Sequence, residues 1–452
     1  MNGLLSRGRG TLTILRALPA QRRLPFLPPE RIHELRDARA REIVRFAAEH
    51  VPYYRDFFRS EGLDPREPRT AADLARLPLL DKRTVLENPA RFRSPAVAKG
   101  DGLWIHSNGT RTNLRFEVFH DRRSLLETIA HGERDRAVEA AFCGKRVRYS
   151  ALEIRDPSAT LWKVQRFYEQ ASFRPLRPRR LPIALTEPIE RVVHSINALR
   201  PDVVRSHGSY LDALFRLVDE RGLELRAPRA VVYAGDAMSP EGRRFVEERF
   251  GSAVLSRYGA VEALKIGFTC EERNGFHLCE DLSHLEVADA NGTRLPPGAL
   301  GETVISNLVN RGTVLLNYRL EDLVRVTDAL CPCGRSSPRV TEIEGRAADV
   351  IRLPSGDLVH QFTIWLAVES LPGLLQYQLA QTDPTRLELR LVVTEPGAYE
   401  PVARTAAERV RALLPGFDVE PLPVESLEMD GSGKIRTLIA LPPVGARGEA
   451  AR

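Results

Sequence analysis

Between residues 200 and 260 the chain alternates strand-like and helix-like segments with almost no spacer. "RPDVVRSHG" reads as a strand and turn, "SYLDALFRLVDERG" as a helix, "RAVVYAGDAM" as a strand, "SPEGRRFVEERFG" as a helix and "AVLSRYGA" as a third strand. A helix between two strands returns the chain to the end where the first strand began, so the strands pair in parallel. The expectation is an α/β fold: a large N-terminal domain with parallel and mixed sheets covered by helices. The alternation starts near residue 100. From 284 to 327 strands follow one another through turns such as "DANGTRLPPGALG", which predicts a more antiparallel part. After "IEGRAADVIRLPSGD" the order becomes helix, two strands, helix, strand, which describes a small α+β domain. At 452 residues the chain exceeds one ordinary core. We place the boundary near Arg346 to Asp349, giving domains 1–347 and 348–452.

Elsewhere the pattern is plainer. Residues 30 to 60 have helical periodicity ending in the aromatic "VPYYRDFF". "LARLPLLDKRTVLENP" feeds a helix capped by Asp81 or Thr84, and "RPLRPRRLP" at 174 to 182 reads as a rigid surface loop. With 43% hydrophobic and 28% charged residues the chain is globular rather than disordered. Arg7, Arg9 and Arg16 interrupt any signal-like apolar region, so the N-terminus reads as the basic leader of a cytoplasmic protein. No apolar run approaches the roughly 20 residues that span a bilayer, which excludes a membrane partner at this level. The net charge of +6 is dispersed among 60 acidic residues without an aromatic–basic stripe, so nucleic acid is not an expected partner either. Self-association into a homodimer stays open. Of the 66 basic residues only six are lysines: Lys82, Lys99, Lys145, Lys163, Lys265 and Lys434.

"HSNGTRTNLRFEV", residues 106 to 118, crowds hydroxyls and a glycine between two apolar runs. Read alone, it is a phosphate-binding loop or a polar hairpin, and glycine and asparagine favour tight turns in either case. Four later stretches line up with it. "SRYGAVEAL" ends a strand with Tyr258, turns at Gly259 and places Glu262 at the strand's carboxyl edge, where ligands bind in open α/β sheets. "LLNYRLEDLVRV" places Asp322 in a turn after a strand. "EGRAADVIRLPSGD" spans the domain junction, and "MDGSGKIRTL" presents Lys434 on a Gly-Ser-Gly turn.

In order and spacing these stretches resemble the signature of the adenylate-forming superfamily. "DLARLPLLDKRTV" and the "CPCGR" after "EDLVRV" are similar to the phenylacetate–coenzyme A ligase family within it. The resemblance runs from about residue 45 to 440 and makes the 106–118 stretch a phosphate loop. It implies that Ser107, Gly109 and Thr110 wrap the ATP phosphates, and that Tyr258 stacks on adenine beside Ala234, Gly235 and Asp236, with Gly259 shaping the turn. It implies Glu262 as the Mg²⁺ ligand, Asp322 and Arg346 on the ribose, and Asp349 as the hinge. Lys434 would bridge the α-phosphate and the substrate carboxylate. The chain departs from the pattern at Arg111, Thr112, Glu321, Val261 and the "AGD" turn.

The implied reaction is ATP-dependent activation of an apolar or aromatic carboxylic acid as an acyl-adenylate, with release of pyrophosphate, then acyl transfer to the thiol of coenzyme A. A carrier-protein thiol or an amine is the alternative acceptor, and a degenerate member binding nucleotide or a partner without turnover is the non-enzymatic alternative. A second site is read from spacing. Cys270 and His277 in "CEERNGFH" and Cys331 and Cys333 in "CPCG" form two turns able to close a tetrahedral structural zinc site, with Cys279 as a rival ligand.

Overall fold

The computed structural model describes residues 2–107, 116–145, 149–155, 160–173, 179–238, 240–289, 291–344, 350–355, 358–368, 371–427 and 437–439. The chain opens with three helices, α1 (Asn2–Arg23), α2 (Pro29–His50) and α3 (Pro52–Ser60). The stretch read as a basic leader is therefore a helix of the domain. Its inner face seats Ile14 against Leu126, Ala130, Tyr168 and Ala171. Gly10 permits that approach, because a Cβ there would lie 2.0 Å from the Ala171 carbonyl oxygen. "VPYYRDFF" is a helix of its own, begun by Pro52 with its preset φ and anchored by fully buried Tyr54. Asp81 caps α4 (Lys82–Glu87) by accepting from the Thr84 N–H at 2.7 Å.

A hairpin follows, β1 (Gly102–Ser107) and β2 (Phe116–Asp121), antiparallel from Gly102–Asp121 to Ser107–Phe116. Next come α5 (Arg122–His131), α6 (Glu133–Phe142), β3 (Ser150–Ile154), α7 (Thr160–Ala171) and β4 (Arg179–Ile183). Then α8 (Ile189–Leu199), β5 (Val203–Ser206), α9 (Gly208–Glu220), β6 (Ala230–Tyr233), α10 (Pro240–Phe250) and β7 (Ala253–Tyr258) alternate, as the sequence pattern requires. Part of the stretch read as a surface loop is thus β4. It pairs in parallel with β3 at the edge of the sheet, and that edge position tolerates Pro182, which has no N–H to donate.

β8 (Gly267–Thr269), β9 (Phe276–Leu278), β10 (Ser283–Ala288), β11 (Leu300–Asn307), β12 (Tyr318–Thr327) and β13 (Arg339–Glu344) complete an eleven-stranded sheet in the order β10-β11-β12-β13-β9-β8-β7-β6-β5-β3-β4. Its β4-β3-β5-β6-β7 portion is parallel, and pairing turns antiparallel at β7–β8. Both faces of the parallel portion are buried. Val204, Val231 and Val254 pack with Leu211, Leu214 and Val246 on one face, while Val203, Ala230 and Val232 pack with Val138 and Ala140 on the other. Strands covered on both sides read as near-continuous apolar runs, and these do.

The C-terminal part has its own core. β14 (Val350–Arg352) and β15 (Leu358–His360) form a small hairpin. α11 (Gln361–Val368) and α12 (Tyr399–Leu413) lie with a four-stranded sheet of β16 (Leu374–Asp383), β17 (Arg386–Val393), β18 (Asp418–Pro423) and β19 (Leu438–Ile439). Leu379, Leu389, Val410 and Val419 belong to a cluster that shares no residue with the cores of the larger part. Arg221, just past the end of α9, donates to the Ser355 carbonyl across the two parts. No helix among the described residues is long and apolar enough to cross a membrane.

Candidate active site

Parallel strands point their carboxyl ends the same way, so β3, β5, β6 and β7 deliver Ile154, Ser206, Tyr233 and Tyr258 to one edge of the sheet. After β6 the chain turns through Ala234, Gly235 and Asp236. Gly235 has φ +102°, a region that strains any side-chain-bearing residue, and a Cβ there would lie 3.3 Å from the His207 ring. Asp236 reaches back to α9, where its carboxylate accepts from the Gly208 and Ser209 N–H groups and the Ser209 hydroxyl. A carboxylate at a helix N-terminus satisfies orphan donors and meets the positive end of the helix dipole. The turn is thereby held rigid beside the edge.

At the end of β7, Gly259 makes the turn possible, since a Cβ there would meet the Leu264 carbonyl oxygen at 2.3 Å. Tyr258 donates its hydroxyl to Asp322 at 2.9 Å. Asp322 lies within β12 rather than in a turn after a strand. The pairing of β11 with β12 slips there: Glu302 faces Leu323 and Val304 faces Arg319, so Leu320, Glu321 and Asp322 stand opposite the single residue Thr303. A bulge of this kind re-aims side chains without ending the strand.

Glu262 is 9% exposed, and its carboxylate accepts from the Tyr318 hydroxyl at 3.4 Å. Burial pushes it up to about 7; the Lys82 ammonium opposes that and the Asp322 carboxylate adds to it. Tyr318 stacks on Phe116 with ring centres 5.9 Å apart, and Lys82 lies 5.9 Å from the same Phe116 ring. Phe116 is the first residue of β2, across the hairpin from Ser107. The hairpin whose arms bound residues 108–115 is therefore packed directly onto the Glu262 pocket. Tyr258, Glu262 and Asp322 are brought together. Lys82 joins them, a residue that sequence reasoning treated only as part of a capped helix; its rarity as one of six lysines was the available signal. Gly109, Thr110, Arg346, Asp349 and Lys434 lie outside the described residues, and Ser107 is described only as the last residue of β1.

Cys270 follows β8, His277 lies in β9, and Cys331 and Cys333 lie between β12 and β13. One ligand atom from each lies within 4.8 Å of the others. Cys270 Sγ is 3.8 Å from Cys331 Sγ, and Cys333 Sγ is 3.3 Å from His277 Nε2. A zinc tetrahedron with Zn–S bonds of about 2.3 Å has S–S edges of about 3.8 Å. His277 Nδ1 faces the carbonyl and hydroxyl oxygens of Ser337, both at 3.3 Å, which turns Nε2 toward the thiols. Burial, with Arg335 adding to it, drops the imidazole to about 4 and keeps it in the neutral, ligating form. Burial raises the Cys270 thiol to about 12. At Cys333 burial acts the same way, but the Arg335 N–H and guanidinium outweigh it and hold the thiol below its ordinary value. Cys279 is outside this group and belongs to the core cluster of Val138 and Leu255.

The fold is shared with acyl-CoA ligases of the adenylate-forming superfamily. The structure superposes with a TM-score of 0.63 on 2-hydroxyisobutyryl-CoA ligase in complex with 2-HIB-AMP and CoA in the thioesterification state, at 21% identity over 92% of this chain and 91% of that one. In sequence the chain is similar to phenylacetate–coenzyme A ligases. It is 28% identical over 397 residues to the one from Thermus thermophilus, covering 83% of this chain and 84% of the relative. It is 25% identical over 334 residues to the one from Pseudomonas putida, covering 71% of each. No family model matches the chain.

Proposed function

We propose that this protein activates a carboxylic acid with ATP, forming an acyl-adenylate and pyrophosphate, and then transfers the acyl group to the thiol of coenzyme A. The observation that carries this reading is the meeting of Tyr258, Glu262 and Asp322 at the carboxyl edge of the parallel sheet, beneath the hairpin that bounds residues 108–115. Similarity to phenylacetate–coenzyme A ligases over most of the chain supports it. Tyr258 packs by the adenine, its hydroxyl steadying Asp322, which accepts from a ribose hydroxyl. The Ser107–Thr110 segment donates hydroxyls and backbone N–H groups to the phosphates. Lys434, on the small domain, places an ammonium between the attacking carboxylate and the α-phosphate. Two anions approach each other there, so the cation stabilises the transition state more than the ground state.

Glu262 suits a Mg²⁺ ligand: a buried carboxylate that accepts from the Tyr318 hydroxyl is a hard oxygen donor held in place. When bound, Mg²⁺ neutralises phosphate charge. The small domain, 348–452, turns about Asp349 between the half-reactions and withdraws Lys434. Its separate core supports movement as a unit. Cys270, His277, Cys331 and Cys333 hold a structural zinc that ties the β8–β9 turn to the β12–β13 connection. ATP–pyrophosphate exchange across aryl and aliphatic acids tests the first half-reaction. Failure of every acid, together with no ATP binding, would refute the proposal.

A further inference from the structure

The same sheet edge carries a cation that the adenylation chemistry does not use. Arg155 follows β3, and its backbone N–H donates to the Ile183 carbonyl at 3.0 Å. Its side chain runs sideways along the edge. Nη2 donates to the Ser206 carbonyl at 2.8 Å, and both Nη atoms lie 3.4 Å from the Ala234 carbonyl. Neighbouring strands are roughly 4.8 Å apart. The guanidinium has thus crossed the end of β5 and lies against the end of β6, one strand from the one that ends in Tyr258.

Several arginines of the same part are held by carboxylates. Arg134 pairs with Asp281 at 2.8 Å, Arg205 pairs with Glu153 at 2.6 Å and with Glu139, and Arg257 also meets Glu139. Arg155 has no carboxylate within ion-pair distance among the described residues; Glu153 and Asp236 act on it only from farther away. Two carbonyl oxygens accept from a group with five N–H donors, and Nε donates to neither. The side chain is half-buried; even partial removal of a guanidinium from water without a counter-ion is costly, and it lowers the group's hold on the proton. Such a group, at the edge where ligands of parallel sheets bind, is built to be completed by a ligand.

We propose that Arg155 reads the tail of the substrate: the acid carries a second oxygen acceptor, a carboxylate or a hydroxyl, remote from the carboxyl group that is activated. The assignment rests on the adenylation reading above and narrows its substrate class away from the purely apolar acids that the sequence implied. The span from the end of β7 to the guanidinium is one to two strand spacings, roughly 5–10 Å, which suits a short aliphatic or single-ring acid. A bidentate guanidinium–carboxylate contact gives both direction and discrimination. An apolar tail leaves those donors unpaired, and a site built for hydrogen bonds rejects such a substrate strongly.

The test is ATP–pyrophosphate exchange by the full chain with two matched series: hexanoate, 6-hydroxyhexanoate and adipate; phenylacetate, 4-hydroxyphenylacetate and 4-carboxyphenylacetate. In at least one series the wild type prefers the members with an accepting tail by tenfold or more in kcat/KM. Arg155→Met raises KM for those members by tenfold or more, leaves KM for ATP unchanged, and narrows or reverses the preference over the apolar acid. Arg155→Lys restores part of it. A wild type that favours hexanoate and phenylacetate overturns the proposal, and this ranking needs no variant to fold. So does an Arg155→Met that slows all acids equally, the mark of a strut for the strand ends. Exchange with none of the six acids, and no ATP binding, removes the adenylation reading itself and this one with it, a result distinct from exchange with the wrong preference.

Discussion

Replacing Glu262 by glutamine removes a carboxylate that the apo-protein holds at a cost. In the unfolded chain this group titrates near 4.5; in the fold, burial carries it to about 7 despite the Lys82 ammonium. Between those values the folded state binds more protons than the unfolded one, so stability falls as pH rises through the interval. The cost is absent below about pH 4.5 and complete above about pH 7. An upward move of about 2.5 pH units corresponds to about 3 kcal/mol. Placing an amide beside Tyr318 offsets part of it, by about 1 kcal/mol for an imperfectly matched buried group. Glu262→Gln is therefore expected to stabilise the metal-free protein by about 2 kcal/mol at pH 8 and by much less at pH 5. The assay is urea denaturation of wild type and variant at both pH values in EDTA, paired with exchange activity, which the variant lowers together with its response to Mg²⁺. A variant no more stable at pH 8, or equally stabilised at both pH values, would refute the electrostatic account of the pocket. A variant with the wild-type Mg²⁺ response would refute the metal assignment.

Three further outcomes are expected. Asp322→Ala raises KM for ATP by about tenfold with little change in kcat, because a ribose hydrogen bond is made in ground and transition states alike; a kcat loss with KM unchanged contradicts that role. Metal analysis of the purified chain finds one zinc per chain, and Cys331→Ser/Cys333→Ser loses it together with several kcal/mol of stability, since metal binding and folding are coupled at such sites. Unchanged stability or absence of zinc rules the centre out. Lys434→Ala slows adenylate formation by orders of magnitude while ATP binding and Tm hold, Lys434→Arg rescues little because a planar fork misplaces two oxyanions, and thioester formation from prepared acyl-adenylate survives. Adenylation at close to the normal rate by Lys434→Ala would sink the domain-alternation mechanism.

Periodicity and turn chemistry act over a few residues, and these were legible in the sequence. The strand–helix alternation from Val203 to Tyr258, the Asp81 cap, the order of the C-terminal elements and the Tyr258–Gly259–Glu262 turn follow from neighbours in the chain. The spacing of Cys270, His277, Cys331 and Cys333 suggested a common site, but their separation is a product of the β9–β13 pairing, which spans more than 60 residues. Contacts between distant segments were not legible. α1 looked like a leader because its arginines are local and its partners, Leu126 and Tyr168, are far along the chain. The strand at Arg179–Ile183 looked like a loop because only an edge position makes its proline tolerable. Asp322 looked like a turn residue because a bulge is defined by the facing strand. Nothing local to Lys82 beyond its scarcity, and nothing local to Arg155, marked either as part of a site. One matters because Glu262 folds against it from 180 positions away. The other matters because its side-chain acceptors among the described residues are the carbonyl oxygens of Ser206 and Ala234, at the ends of two neighbouring strands. Sequence sets what each segment can be; burial, pairing and charge between segments decide which side chains share a site.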